Sequence, residues 1–121
     1  MINIKSEVYN ALKNNTELIA LLGGQRIYFM VVPDNKAAEF PRLTYYEYSN
    51  RANMYADDTE ITTVIRIVID VWSKTSTTDI TEKIVEIMEN IGFRREDARD
   101  LYEDDTRIYH KYLRFVTVRV L

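Results

Sequence analysis

Cysteine is absent from this sequence of 121 residues, and glycine and proline are scarce. Without cysteine the chain has no disulfide, no thiolate metal ligand and no cysteine nucleophile, and the absence favours a reducing compartment. Three glycines and two prolines are too few for a flexible linker or a low-complexity segment. We therefore expect one compact domain that covers residues 1–121.

Long apolar runs and an excess of positive charge are also missing. No run approaches the roughly 18 apolar residues that a membrane-spanning helix requires, and the first residues do not resemble a signal peptide. The formal net charge is −3, which opposes general nucleic-acid binding because such affinity comes mainly from neutralising phosphates. The sequence predicts a protein that binds no membrane and no specific nucleic acid, and that is made and kept in the cytoplasm or packed into a particle.

The sequence contains no recognisable catalytic or metal-binding pattern of residues. The single histidine, His110, lies in a predicted strand between Tyr109 and Lys111, and we interpret it as a surface or interface residue. The acidic segments 57–60 and 96–105 lack the alternating, glycine-containing pattern of a calcium loop and are expected to be solvated. We predict no catalytic residue, no metal site and no cofactor.

Helical periodicity occurs in three segments. Residues 4–14 place Ile4, Val8 and Leu12 on one face. A short second helix is expected from Thr16, as the N-cap, to Leu22, where the pair Gly23-Gly24 ends it. A third helix is expected after a capping box of Ser76 and Asp79 and runs to about residue 90. Its apolar stripe consists of Ile80, Ile84, Ile87, Met88 and Ile91.

Strands are predicted at 26–32, 42–49, 60–72 and 108–121, with a short one starting at 93–95. Residues 33–41 and 50–58 are expected to be loops, and the acidic segment 96–106 is expected to be irregular at its end. This order predicts an α+β fold: one domain with a mostly antiparallel sheet of four or five strands packed against two main helices.

Two different faces alternate along the strand 60–72. Its odd-numbered positions from Ile61 to Val71 are apolar except for Thr63, and we expect them to lie on the helices. Its even-numbered positions mix Arg66 and Asp70 with apolar residues. A monomer would leave this mixed face partly exposed to solvent, whereas contact with another copy in an oligomer would cover it.

Aromatic residues exceed what one face of a sheet needs. The tyrosines at 45, 46 and 48 occupy both faces of their strand, so they cannot all be core, although cross-strand packing explains at least one. Tyrosine is favoured at interfaces because it combines a large ring with a polar tip. The candidate subunit or partner interface consists of Tyr45, Tyr46, Tyr48, Met54, Tyr55, Arg66 and Trp72.

Eight short segments follow one another along the chain in a recognisable order. They are VYNAL at 8–12, LIALLGG at 18–24, RIY at 26–28, FPRLTY at 40–45, IDVWS at 69–73, GFRR at 92–95, DLYEDD at 100–105 and YHKYLRF at 109–115. In this order they resemble the tail-completion proteins of bacteriophages with long, non-contractile tails. The likeness covers nearly the whole chain, and its segments are structural motifs without catalytic residues.

The resemblance implies a non-enzymatic structural protein of a phage or prophage, similar in fold to the lambda-type tail terminator. Such proteins form hexameric rings at the tail–head junction of the virion, stop growth of the tail tube and contact both the tail-tube protein and the head-completion connector. Two alternatives stay open at this point. One is a head-completion connector protein of the neck, and the other is a small regulatory or ligand-binding α+β domain with a concave pocket.

Overall fold

A five-stranded sheet forms the centre of the molecule in a computed structural model, which describes residues 2–121. The strand order is β1-β2-β3-β5-β4. The first two strands are parallel, and every other neighbouring pair is antiparallel. The predicted α+β class is confirmed. The strands are β1 (Ile27–Phe29), β2 (Arg42–Ala56), β3 (Thr59–Ser73), β4 (Arg94–Glu103) and β5 (Ile108–Val120).

Three helices pack against one face of this sheet: α1 (Lys5–Lys13), α2 (Thr16–Leu22) and α3 (Thr78–Asn90). They cover the odd-numbered face of β3, where Ile65, Ile67 and Ile69 are fully buried. This confirms the face predicted from the alternation along the strand. Burial of each such side chain stabilises the fold by about 1.5–3 kcal/mol.

The predicted helix starts differ from the observed ones. The N-cap of α2 is Asn15, whose side chain accepts a hydrogen bond from the Leu18 N–H at 2.9 Å, so the prediction of Thr16 was wrong. The predicted capping box of α3 was also wrong, because the hydroxyl of Ser76 accepts from the N–H of Thr78 at 3.2 Å, ahead of the helix. Short polar side chains compete for the same free N–H groups at a helix start.

The connection predicted at 50–58 is wrong, because β2 continues to Ala56 and forms a long hairpin with β3. A two-residue turn joins the strands, and Asp57 and Asp58 have φ values of 51° and 62°. Aspartate tolerates this left-handed geometry better than most residues, and it suits a tight hairpin. The polar residues of 50–56 were misleading because this end of β2 is an exposed edge.

The strand predicted to start at 93–95 continues further than expected, because β4 runs to Glu103, pairs with β5 and is largely exposed. The irregular end predicted for 96–106 is confirmed as the turn that follows Glu103. A charged sequence is compatible with a strand at an exposed edge, where it also discourages pairing with other chains. The strand predicted at 26–32 is shortened to β1, because the chain turns away at Met30, whose φ is 67°.

Candidate subunit-contact surface

The helices α1, α2 and α3 pack on one face of the sheet, and we call the second face the open face. It consists of the side chains that alternate with the core positions on four strands. They are Arg42, Thr44, Tyr46, Tyr48 and Arg51 of β2; Val64, Arg66, Val68, Asp70 and Trp72 of β3; His110, Tyr112, Arg114, Val116 and Val118 of β5; and Arg94, Glu96, Asp97, Arg99 and Leu101 of β4.

A cluster of charged side chains occupies the middle of the open face. Arg66 donates two hydrogen bonds to the carboxylate of Glu96, from Nε at 2.9 Å and from a terminal nitrogen at 3.1 Å. Arg114 donates from Nε to the same carboxylate at 2.7 Å, and its guanidinium lies 5.5 Å from the centroid of the Tyr48 ring. One carboxylate thus holds two guanidinium groups side by side.

The charges of this cluster stabilise one another. The hydrogen bond from Arg66, followed by that from Arg114, lowers the pKa of Glu96 below its ordinary value of 4.5. The hydrogen bond to Glu96 in turn raises the pKa of each arginine. All three groups therefore stay charged at neutral pH.

An open cleft of about 570 Å³ lies at this cluster, and we call it the basic cleft. Its lining residues are Tyr48, Ser49, Arg51, Arg66, Glu96 and Arg114. Three guanidinium groups against one carboxylate leave the cleft with a net charge of +2. Arg51 is exposed and forms no ion pair within residues 2–121.

An aromatic cluster occupies the end of the open face nearest the β4–β5 turn. The rings of Trp72 and His110 stack with centroids 4.7 Å apart and an interplanar angle of 18°. The Nε2 atom of His110 lies 2.7 Å from the Oδ1 atom of Asp70, which is almost buried. The guanidinium of Arg42 lies 5.8 Å from the Trp72 ring. His110 is an open-face residue, as expected of a surface or interface histidine.

The two hairpin ends carry the acidic segments. At the β2–β3 end, Met54 and Tyr55 are 54% and 60% exposed beside the exposed pair Asp57 and Asp58. At the β4–β5 end, Glu103 and its neighbours are exposed, and the ring centroids of Tyr102 and Tyr109 lie 4.9 Å apart. The acids therefore lie at opposite ends of the sheet, since β3 and β5 are antiparallel.

The structure separates the seven predicted interface residues into three groups. Tyr46, Tyr48, Arg66 and Trp72 share the open face, whereas Met54 and Tyr55 lie together at the β2–β3 hairpin end. The remaining residue is Tyr45, which is 7% exposed and packs against Tyr9 and Phe29 on the helix side. Tyr45 is thus a core residue, and we leave it out of the contact surface.

Glu96, Arg51 and Arg114 were missed as a cluster with Arg66. They come from three other strands, and only the strand register brings them together. On the neighbouring part of β5, Lys111 forms a separate ion pair with Asp100 of β4 at 3.0 Å.

Within residues 2–121, no group of three or more histidine, aspartate and glutamate side chains is placed to hold a metal ion. None of the helices in that part of the chain has the length and apolar character to cross a bilayer.

Comparison with known protein families decides the identity of the fold. Residues 6–119 match the family described as "Tail completion protein gp17". The chain belongs to this family. The match leaves out only the first residue of α1 and the last residue of β5 among the helices and strands, so it covers nearly the whole chain. No curated protein matches the sequence at a significant level.

A solved structure with a similar fold comes from the virion of a native gene transfer agent (GTA) particle. The TM-score is 0.65 and the sequence identity is 16%, and the similarity covers 93% of this chain and 90% of that chain. At this identity the likeness concerns the fold alone. It shows that the tail-completion domain has the architecture of a chain found in an assembled particle.

Family membership establishes a structural role in the tail of a phage virion. It confirms the resemblance read from the eight short segments, and it decides against a small regulatory or ligand-binding domain. A structural protein of this kind needs surfaces for assembly, and the open face and the hairpin ends are the candidates.

Proposed function

We propose that this tail-completion protein caps the tail tube and joins the tail to the head connector as a closed ring of identical copies, with six copies in the ring. The role is one of assembly and not of catalysis. Its partners are further copies of itself, the tail-tube protein and the head-completion connector. DNA passes through the ring without a sequence-specific contact.

The open face is the observation that supports this proposal most strongly. On the face of the sheet away from α1, α2 and α3, Tyr48 is exposed, and Tyr46 and Trp72 are partly exposed. Aromatic side chains and arginine are enriched at protein interfaces. Contact between copies would complete the second layer.

Ring closure requires a head-to-tail contact, in which two different surfaces of each copy meet. The open face and the hairpin ends are two such surfaces, since they lie on different parts of the molecule. A contact in which each copy offers the same patch would stop at a dimer. The separation of these surfaces therefore favours a ring.

Electron microscopy of tails assembled with and without the protein tests the function. We expect tubes of uniform length that end in a ring and attach to heads when the protein is present. Abnormally long tubes, or tails that do not attach, are expected without it. Uniform tubes in its absence, together with binding of the purified protein to portal-bearing heads, would instead assign it to the neck.

A further inference from the structure

Charge is distributed unevenly over the molecule, although the net charge is only −3. The open face concentrates guanidinium groups in the basic cleft, whereas the exposed aspartates 57, 58, 104 and 105 lie at the two hairpin ends. Complementary charged surfaces of this kind select partners and fix the register of their docking.

The edges of the sheet are poorly suited to contact between copies. The free part of β2 has register shifts between Glu47 and Ser49 and again after Ala52, and β4 has one between Arg95 and Asp97. Bulges and charged side chains at an edge prevent pairing with a strand of another chain. This leaves the open face and the hairpin ends.

We propose that the acidic end of the β2–β3 hairpin of one copy docks into the basic cleft of the next copy. The proposal rests on the proposed ring and specifies its contact. The carboxylates of Asp57 and Asp58 match the net +2 charge of the cleft, where Arg51 has no ion pair within residues 2–121.

A β2–β3 hairpin end that occupies the cleft must come from a second copy. Asp58 and Arg66 lie on the same hairpin arm, eight residues apart, so they are separated by about 26 Å at ~3.3 Å per residue. The hairpin is rigid because its strands are paired up to Ala56 and Thr59. The acidic end therefore does not reach the cleft of its own chain.

The β2–β3 end suits this role better than the β4–β5 end. Between Ala52 and Ile65 the sequence has no lysine or arginine, whereas the β4–β5 end includes Arg107. The carboxylate of Glu103 also accepts a hydrogen bond from Thr106 within its own turn, at 3.1 Å. The rings of the β4–β5 end contact each other, whereas Met54 and Tyr55 are free to pack against an aromatic partner such as Tyr48.

Disulfide trapping tests the docking in assembled tails. Because the natural chain has no cysteine, only the introduced thiols can form a disulfide. The variant Arg51→Cys/Asp58→Cys carries its thiols about 20 Å apart within one copy at ~3.3 Å per residue, too far for a bond within the chain. Oxidation is expected to give a ladder of cross-linked copies. The matched control Arg51→Cys/Asp105→Cys is expected to stay uncross-linked.

A charge variant measures the same contact without a cross-link. Asp57→Asn/Asp58→Gly removes both charges and leaves residues that favour the turn, so the hairpin is kept. We expect the dissociation constant for self-association to rise about tenfold, and to change less than about threefold for Asp104→Asn/Asp105→Asn. Sedimentation velocity over a range of protein and salt concentrations gives both values.

A ladder from the Asp105 pair, or no ladder in tails that contain the protein, would overturn the proposal. So would tight binding of a DNA duplex that depends on Arg51 in the absence of any cross-link, since the cleft would then hold phosphate. If the protein does not enter tails, the proposed function fails. Trapping in concentrated free protein still reports the contact in that case.

Discussion

The two faces of the sheet differ in how their side chains are held, although the same strands form both. On the helix-covered face, Ile65, Ile67 and Phe115 are fully buried among apolar side chains. On the open face, Arg66 and Arg114 are fixed by the carboxylate of Glu96, and each keeps a quarter or more of its side chain exposed. One face is closed by the helices, whereas the charged side chains of the other are ordered and remain partly exposed.

This difference separates stability from assembly. Apolar burial on the covered face stabilises the monomer, and its effect is large for each residue. Exposed ion pairs contribute little to monomer stability, about 0–1 kcal/mol each. They do hold the side chains of the open face in fixed positions, which lowers the entropy lost when a partner binds. Substitutions on the two faces should therefore have different consequences.

The largest effect is expected for Phe115→Ala, on the covered face. The ring is fully buried in the core, and its removal leaves a cavity, so we expect the free energy of unfolding to fall by about 3–5 kcal/mol. Urea denaturation followed by circular dichroism measures it. The control is Val118→Ala on the open face of the same strand, where we expect a loss below about 0.5 kcal/mol. Similar losses at both positions would erase the distinction between the faces.

A smaller effect is expected for Thr63→Val, also on the covered side. The buried hydroxyl of Thr63 donates to the Asn50 side chain at 2.7 Å. Its removal leaves the Asn50 oxygen unsatisfied, and we expect a loss of about 1–2 kcal/mol. Thr62→Val, one position along on the partly exposed side, is the matched control and should lose less. Equal losses in thermal or urea unfolding would show that burial does not decide the cost.

The smallest effect on stability is expected for Glu96→Gln on the open face, about 1 kcal/mol or less at pH 7. Because the folded-state pKa of Glu96 is lowered, its contribution is fully present above the ordinary value of 4.5 and is lost as the pH falls through the folded-state value. The difference between wild type and variant should therefore shrink in acid. A difference that grows below pH 4 would contradict this assignment.

The sequence predicted the covered face well and the open face only in part. The alternation along 60–72 was sufficient to identify the buried side of β3, because apolar periodicity is a local signal. Polar and charged residues in β2 and β4 concealed two strand segments, because exposed edge strands carry the composition of loops. The cluster of Arg66, Glu96 and Arg114 depends on strand register, which no local pattern specifies.

Thiol labelling in assembled tails tests most directly whether the open face is the contact between copies. Single cysteines would replace Tyr48 on the open face and Glu89, which is exposed on α3 at the opposite side of the sheet. A water-soluble maleimide should label both positions in the free protein. In tails, we expect the cysteine at 48 to be protected and the one at 89 to react as before. Equal reactivity at position 48 in free protein and tails would contradict the account.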